Sequence, residues 1–313
     1  MKRDLPDICC VLCPSFHGAT LLSLLLNNHD KILGMGDTLP PRLLGCYCGC
    51  GAPLDQCAFW RSVEDRLAFI GRLSLVPALP TQLLAKGSDG PVWRSALPEQ
   101  RRTTSAAELA LIPFFMAAIN LNLRLPLNRF AASYAEFLAV CKSHTDFSLF
   151  LDGYKSSKHY LALKACGMPV RGAIHLLRDP RAYAASAKRV GYSLEQAAAD
   201  WDSTHRAIET VLSGVGENVL RLRYEDFCAE PEDTLASIQS WMGLEPNRTI
   251  QKPSADLHWV GNASMTAFTG DIKPSERWRK ELSTKELEFL SRKLGKRAKR
   301  YNYDLDQTEV SHQ

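Results

Sequence analysis

Short apolar segments alternate with helix-length segments through the second half of the chain, and this alternation constrains the fold more than any other feature. The predicted strands occupy residues 147–152, 170–177 and 218–224. The helices predicted between and after them occupy residues 158–166, 180–189, 193–212 and 232–242. Strands separated by helices of this length pair in parallel through right-handed crossovers, with helices on the faces of the sheet. The second half therefore predicts an α/β fold.

The N-terminal region adds strands and a helix to this sheet. The apolar run at residues 8–12 lies between two prolines and predicts a buried strand, and Gly18 begins an amphipathic helix. Residues 31–33 predict a second short strand, whereas residues 65–145 are irregular and then helical. We interpret the latter as a largely helical insertion that carries the acceptor pocket or a lid. Residues 1–313 are thus predicted to form a single domain with a central parallel β-sheet flanked by helices.

Composition and charge exclude several classes of protein. The 313 residues are 45% apolar and 23% charged, as in ordinary globular enzymes, and a net charge of +4 is too small to predict nucleic-acid binding. The N-terminus shows no apolar signal-peptide segment, and the most apolar window, residues 106–127, contains charged and amide side chains and two prolines. We therefore expect a cytoplasmic protein with no membrane span and no nucleic-acid partner, and the oligomeric state stays open.

A group of cysteines follows the predicted first helix. The chain has ten cysteines, and four lie close together: Cys46, Cys48, Cys50 and Cys57. Their spacing is compatible with a zinc site, with disulfides or with free thiols in a reducing compartment. No downstream pair of ligands completes a common zinc pattern, so the three alternatives stay open. We expect the group to be structural rather than catalytic, since no histidine base lies near it in the sequence.

The loop between the first strand and the first helix has the features of an anion site. Its residues are Ser15, Phe16, His17, Gly18, Ala19 and Thr20. A tight turn that leads into a helix directs the first backbone N–H groups and the positive end of the helix dipole at one point, which suits a phosphate or a sulfate. An ATP-binding loop would place a lysine where this chain has Ala19. An ordinary strand–turn–helix junction is the alternative interpretation.

The segment AIHLLRDPRAYAASAKR holds a second candidate anion site. The predicted strand ends just before Arg178, Asp179 is suited to cap the next helix, and Pro180 fits its first turn. Arg178 therefore projects from the carboxyl edge of the sheet, where open α/β sheets bind ligands. Ser186 lies two helical turns further on and can reach the same anion as the Arg178 guanidinium, whose fork fits phosphate oxygens. A surface arginine beside a capped helix is the alternative.

Together these two segments resemble the nucleotide-binding elements of the sulfotransferase family that uses 3′-phosphoadenosine 5′-phosphosulfate (PAPS). In that family the first loop binds the 5′-phosphosulfate. An Arg-Asp-Pro-Arg unit binds the 3′-phosphate through its first arginine and a serine eight positions on, which correspond to Arg178 and Ser186. The resemblance covers almost the whole chain except residues 65–145.

Further segments are similar to the same family and follow in the same order. LDGYKSSK resembles its Asp-x-x-Lys element and includes Asp152 and Lys155, and VLRLRYEDF resembles its late strand, which ends near Tyr224. HWVGNASM resembles its His-x-x-Gly-Asn loop, which assigns Gly261 and Asn262 to the nucleotide. The cysteine group is similar to one found in bacterial members.

The resemblance implies a P-loop-like fold and a PAPS-dependent sulfotransferase that transfers a sulfuryl group to a hydroxyl or an amine on a small-molecule, saccharide or peptide acceptor. No catalytic metal is expected, because the transferred sulfuryl group carries one negative charge fewer than a phosphoryl group. A nucleotide-binding protein of the same fold with impaired catalysis is one alternative. An ATP-dependent P-loop phosphotransferase is the other, and Ala19 disfavours it.

Departures from the family pattern bear on the catalytic residues. Phe16 stands where family members usually carry a lysine or arginine, and we expect His17, partly protonated near neutral pH, or Lys155 to replace that cation. Met265 stands where many relatives carry an arginine. Asp37 lies where tyrosylprotein sulfotransferases carry a catalytic glutamate, so we predict that it is the general base for the acceptor hydroxyl. A loop or capping role for Asp37 is the alternative.

Overall fold

The first strand of the chain lies at the centre of a five-stranded parallel sheet. The computed structural model describes residues 5–36, 47–69, 113, 116–117, 121, 128–215, 218–251, 254, 256–261, 265, 268 and 270–306. The strands are β1 (Asp7–Leu12), β2 (Ile32–Gly34), β3 (Leu149–Lys155), β4 (Val170–Leu177) and β5 (Val219–Arg223). Their order across the sheet is β2-β3-β1-β4-β5, and every neighbouring pair is parallel. The predicted α/β fold with a central parallel sheet is confirmed.

Helices flank the sheet close to the predicted positions. They are α1 (Ala19–Leu26), α2 (Ala58–Phe69), α3 (Asn128–His144), α4 (Ser157–Ala165), α5 (Pro180–Lys188), α6 (Leu194–Val215), α7 (Tyr224–Ala229), α8 (Pro231–Trp241), α9 (Trp278–Glu281) and α10 (Thr284–Lys299). The short helix α7 was not predicted, and the last strand ends one residue earlier than expected because Tyr224 begins this helix. A capping box of Ser283 and Glu286 marks the start of α10. None of the described helices is both long enough and apolar enough to cross a membrane.

The central strand is buried on both faces, which explains why it is a continuous apolar run. Cys9 and Val11 belong to the apolar cluster that includes Leu22 of α1. Cys10, on the opposite face of β1, belongs to the cluster that includes Tyr160 of α4. Parallel sheets that carry helices on both sides show this pattern. The ends of the strands are therefore the places where polar side chains collect.

The helices at the two ends of the predicted insertion pack against each other. Trp60 of α2 stacks on Phe137 of α3 with ring centres 6.4 Å apart, and both rings are buried. Residues 70–112 lie outside the described residues. The extent of the helical insertion over residues 65–145 and its role as an acceptor pocket therefore stay predictions.

Candidate active site

The carboxyl ends of neighbouring strands bring the separate sequence motifs to one edge of the sheet. Leu12, at the end of β1, pairs in register with Lys155 of β3 on one side and with His175 of β4 on the other. Arg178 follows β4 directly, and Tyr224 follows the adjacent β5. The loop after β1 therefore lies between the cationic residues of both neighbouring strands. This is the edge at which open α/β sheets bind ligands.

The backbone of the first loop is shaped to present a helix N-terminus. Phe16 has φ 61° and Gly18 has φ 85°, and α1 begins at Ala19 with no side-chain cap on Gly18. A Cβ atom at Gly18 would lie 2.4 Å from the ring of Tyr224, so glycine is required both for the backbone conformation and for this close approach. Ser15 is exposed at the tip of the loop. The uncapped start of α1 keeps the positive end of the helix available to an anion.

Arg178 is a buried cation that has no anionic partner among the described residues. Its side chain is only 8% exposed, and its Nη1 donates a hydrogen bond to the carbonyl of Phe16. The guanidinium carbon lies 4.8 Å from the centre of the Tyr224 ring. Among the described residues, no carboxylate pairs with Arg178 and its Nε atom has no hydrogen-bond partner. A buried charge without a partner is costly, so this arrangement is typical of a site that binds an anion.

The helix after Arg178 starts as the sequence predicts. The Asp179 carboxylate accepts from the N–H of Arg181 at 2.8 Å, and Pro180 occupies the first turn. Ser186 is buried, and its hydroxyl donates to a main-chain carbonyl of its own helix at 2.9 Å. It also accepts from Nη2 of Arg189 at 3.1 Å. Arg189 was not predicted as a site residue, because its only signal in the sequence is a basic residue one helical turn after the serine.

Lys155 lies beside the first loop at the end of β3. It is half-buried and has a left-handed backbone with φ 65°. Asp152, in the same strand, is buried and accepts hydrogen bonds from the hydroxyl of Tyr134, from Nε2 of His159 at 2.9 Å and from the N–H of Tyr154 at 2.8 Å. Burial opposes ionisation of this carboxyl, but His159 and these hydrogen bonds hold its pKa below its usual value. Asp152 thus anchors the strand end that carries Lys155.

Three buried histidines form a hydrogen-bonded chain behind the first loop. His17 Nδ1 bonds to the Ser15 carbonyl at 2.9 Å, His17 Nε2 lies 3.2 Å from His205 Nε2, and His205 Nδ1 lies 2.9 Å from His175 Nε2. A carbonyl only accepts, so His17 Nδ1 carries the proton and its Nε2 accepts from His205. His205 Nδ1 in turn accepts from His175. The hydrogen bonds therefore assign one tautomer to each ring.

The expectation that His17 is partly protonated near neutral pH is wrong for this structure. Its side chain is 1% exposed, and burial, together with the charges of Arg178 and Lys155, lowers its pKa to about 3. Both of its ring nitrogens have protein partners. A neutral, enclosed imidazole does not supply the missing loop cation, and its Nδ1–H instead donates to the Ser15 carbonyl within the loop. The Phe16 ring points to an aromatic cluster, 6.2 Å from the ring of Tyr183.

The C-terminal loop reaches the same edge of the sheet. The N–H of Val260 donates to the carbonyl of Met35 at 3.0 Å, just beyond β2. A Cβ atom at Gly261 would lie 2.5 Å from Cγ2 of Thr20, which is buried in the first turn of α1. Gly261 is therefore in place beside the first loop. The predicted base Asp37 and the predicted nucleotide contact Asn262 lie outside the described residues.

Three of the four clustered cysteines lie close to a histidine of this C-terminal loop. Cys48, Cys50 and Cys57 lie together, and His258 Nδ1 is 3.5 Å from the sulfur of Cys48 and 3.3 Å from that of Cys57. Cys46 lies outside the described residues. His258 was not predicted as a member of this group, because it is separated from Cys57 by 201 positions.

Comparisons with known proteins give a family and similar solved structures. A family model described as the sulfotransferase family matches residues 73–248. The sulfotransferase domain of the Synechococcus PCC 7002 olefin synthase has a similar fold, with 18% sequence identity, a TM-score of 0.53, and 97% of this chain and 98% of that domain covered. Sulfotransferase STF9 from Mycobacterium avium is 14% identical with a TM-score of 0.48, and the match covers 96% of this chain and 78% of that one. A search of curated proteins finds no significant match.

Proposed function

Because the chain belongs to the sulfotransferase family, we propose that it transfers a sulfuryl group from PAPS to a hydroxyl or an amine of an acceptor. The observation that carries this proposal is the Arg178 guanidinium, which is buried at the carboxyl edge and has no carboxylate partner among the described residues. A dianionic 3′-phosphate would supply the missing negative charge.

The residues around Arg178 fit the two ends of such a donor. Arg178 and Ser186 would hold the 3′-phosphate, and Arg189, which already donates to the Ser186 hydroxyl, would add a second guanidinium. The loop of residues 15–20 would hold the 5′-phosphosulfate through the N–H groups at the start of α1. Tyr224 would support both parts, because its ring contacts the guanidinium of Arg178 and lies against Gly18.

The reaction needs a base for the acceptor and positive charge for the leaving phosphate. Bound PAPS would supply the sulfuryl group: the acceptor oxygen or nitrogen would bond to sulfur as the bond from sulfur to the 5′-phosphate oxygen breaks, and 3′-phosphoadenosine 5′-phosphate would leave. Lys155 and the N–H groups of the loop would stabilise the charge that develops on this oxygen. Asp37 would accept the acceptor proton. Its neighbour Gly36 pairs with Val260 at the same edge, which supports this assignment.

A comparison of nucleotides tests the donor assignment. The full chain would be heated with equal concentrations of 3′-phosphoadenosine 5′-phosphate, ADP, ATP and AMP, since a ligand that binds the native state raises the unfolding temperature. We expect the largest rise with the 3′-phosphorylated nucleotide. An equal rise with ADP would contradict a 3′-phosphate site, and a larger rise with ATP would favour a phosphotransferase.

The acceptor class and catalytic competence need a separate measurement. Incubation with PAPS and a panel of phenols, alcohols, saccharides, tyrosine peptides and amines, followed by mass spectrometry, would detect a sulfated product. A second candidate function, nucleotide binding without catalysis, is favoured by one observation: the Phe16 ring packs on Tyr183 and Tyr192 and brings no cation to the loop. Binding of the nucleotide without turnover on any acceptor of the panel would support this second function.

A further inference from the structure

Three cysteines and one histidine from distant parts of the chain converge beside the C-terminal loop. The group, hereafter the Cys3His cluster, comprises Cys48, Cys50, Cys57 and His258. Its four potential ligand atoms all lie within 4.8 Å of one another. Two of its members are buried and two are half-buried. Thiolate and imidazole are the ligands that zinc prefers in proteins.

Three of the six distances between ligand atoms in the cluster are close to those of a tetrahedral zinc site. With Zn–S bonds of about 2.3 Å and Zn–N bonds of about 2.0–2.1 Å, a tetrahedron places two sulfurs about 3.8 Å apart and a sulfur about 3.6 Å from a nitrogen. The sulfurs of Cys50 and Cys57 are 3.8 Å apart. His258 Nδ1 lies 3.5 Å and 3.3 Å from the sulfurs of Cys48 and Cys57. These three distances differ from the tetrahedral values by at most about 0.3 Å, and all four ligand atoms lie within 4.8 Å of one another.

The surrounding structure holds the turn that carries Cys48 and Cys50, and the imidazole of His258, in place independently of a metal. The turn that carries two of the cysteines is closed by hydrogen bonds from Cys48 N–H to the Ala52 carbonyl at 2.8 Å and from Gly51 N–H to the Cys48 carbonyl at 2.9 Å. The imidazole of His258 stacks on Phe59 with ring centres 4.8 Å apart and planes 7° apart. This stacking directs Nδ1 at the sulfurs. A ligand set that is held in place in this way binds zinc with little further ordering.

We propose that the Cys3His cluster binds one Zn²⁺ ion as a closed, structural site. All four positions of a tetrahedral ion are then filled by protein, so none remains for a water or a substrate. The site lies outside the proposed sulfuryl-transfer machinery. It would join the turn at residues 47–53 to the C-terminal loop at residues 256–261.

The metal would also fix a segment that borders the first loop. The N–H of Gly49 donates to the carbonyl of Trp259 at 2.8 Å, and Gly261 contacts Thr20 at the start of α1. The chain from His258 to Gly261 is therefore held at one end by the cluster and lies against α1 at the other. Loss of zinc should loosen this segment. A loosened segment should in turn weaken nucleotide binding at the first loop. This effect rests on the proposed function, whereas the zinc site itself does not.

Metal analysis of the full chain tests the site directly. The protein would be purified under reducing conditions and its metal content measured by mass spectrometry, and we expect about one zinc per chain. The Cys57→Ser variant should lose the zinc, whereas the matched control Cys166→Ser, which changes a half-buried thiol outside the cluster, should retain it. Iron, no metal, or equal zinc in both variants would overturn the proposal, as would a disulfide between Cys50 and Cys57.

A measurement on the wild-type chain covers the case in which the Cys57 variant does not fold. Zinc would be removed with a chelator under reducing conditions and replaced by Co²⁺, which in this ligand set gives thiolate charge-transfer bands and tetrahedral ligand-field bands. Absence of these bands would overturn the proposal. If the zinc is present but its removal leaves affinity for 3′-phosphoadenosine 5′-phosphate unchanged, the coupling to the first loop is wrong while the metal site stands.

Discussion

Arginines at the two edges of the sheet differ in burial and in their partners. At the amino edge, Arg171 of β4 forms an ion pair with Asp7 of β1 at 2.8 Å, and both side chains are nearly half exposed. At the carboxyl edge, directly after the same strand, Arg178 is buried and has no carboxylate partner among the described residues. An exposed pair of the first kind contributes little to stability. The position on the strand therefore separates the arginine that we propose to bind an anion from the one that forms an ordinary ion pair.

The backbone shows the same contrast between the edges. The strands enter the sheet through ordinary main-chain bonds, such as Asp7 N–H to the Ser148 carbonyl at 2.9 Å. At the carboxyl edge Phe16 and Lys155 both have positive φ, and they are two of the three such non-glycine residues among the described ones. Backbone strain of this kind persists only where the surrounding structure enforces it, and it collects at ligand sites. The positive φ values at the carboxyl edge are therefore in line with the proposed binding of a ligand there.

The largest difference between the edges should appear in turnover when an aspartate near β2 is changed. Asp37 follows the carboxyl end of β2, and Asp30 precedes its amino end. Asp37→Asn keeps the size of the side chain but cannot accept the acceptor proton. We expect sulfuryl transfer to a neutral hydroxyl to fall by about 100- to 10,000-fold, the usual range for loss of a positioned base. Steady-state kinetics with a hydroxyl acceptor would measure this.

The matched control is Asp30→Asn, which changes an exposed carboxylate at the opposite edge. Its turnover should equal that of the wild type. Nucleotide affinity should stay nearly unchanged in both variants, because a base that faces the acceptor has no need to contact the donor. A more acidic, partly ionised phenol should partly rescue Asp37→Asn. Near wild-type turnover of a neutral hydroxyl by this variant would show that Asp37 is only a loop residue.

The next largest effect concerns the two arginines that flank β4. Arg178→Ala should remove a charge-assisted contact worth about 1.5–3 kcal/mol and weaken binding of 3′-phosphoadenosine 5′-phosphate about 10- to 150-fold. Arg171→Ala removes only an exposed ion pair, so nucleotide affinity should not change. Titration calorimetry on both variants would measure the difference. Equal affinities for the two variants, or equal wild-type affinity for AMP, would remove the basis of the proposed 3′-phosphate site.

The carboxyl edge could be predicted from the sequence because its signals are local. Alternating segments predicted parallel strands, and the ends of parallel strands share one edge. The start of α5 could be predicted from Asp179 and Pro180, which satisfy the first turn of a helix whatever surrounds it. Gly18 could be recognised as a turn residue for the same reason. The inferences about Asp179, Pro180 and Gly18 depend only on neighbours within one turn of chain.

The histidine chain and the fourth cluster ligand could not be predicted, because they depend on packing between distant segments. His205 lies on α6 and is 188 positions from His17, so their contact follows only from how this helix packs behind the first loop. His258 is 201 positions from Cys57. The protonation state of His17 was predicted wrongly for the same reason. A lone histidine in sequence shows nothing of the burial that lowers its pKa.

The smallest expected effect is on the pH dependence of stability, which we assign to buried histidines at the carboxyl edge and not to the amino edge. Burial lowers the pKa of His17 and of His175 to about 3, and burial lowers the pKa of His205 as well. The unfolded chain therefore binds more protons than the folded one below about pH 6.5, the ordinary histidine value. Stability from these groups is fully present above that pH and is lost as the pH falls toward the folded pKa values, by up to about 1.4 kcal/mol per pH unit for each histidine.

Urea unfolding between about pH 7 and pH 5.5 would measure this dependence. His175→Gln keeps a donor for His205 Nδ1 but removes one titrating group, so its free energy of unfolding should fall less steeply with acid than that of the wild type. Arg171→Ala removes no histidine and should keep the wild-type slope, even if it lowers stability at every pH. A slope that His175→Gln leaves unchanged would mean that the buried histidines at the carboxyl edge are not the source of the acid sensitivity. A slope reduced by Arg171→Ala would assign it to the amino edge instead.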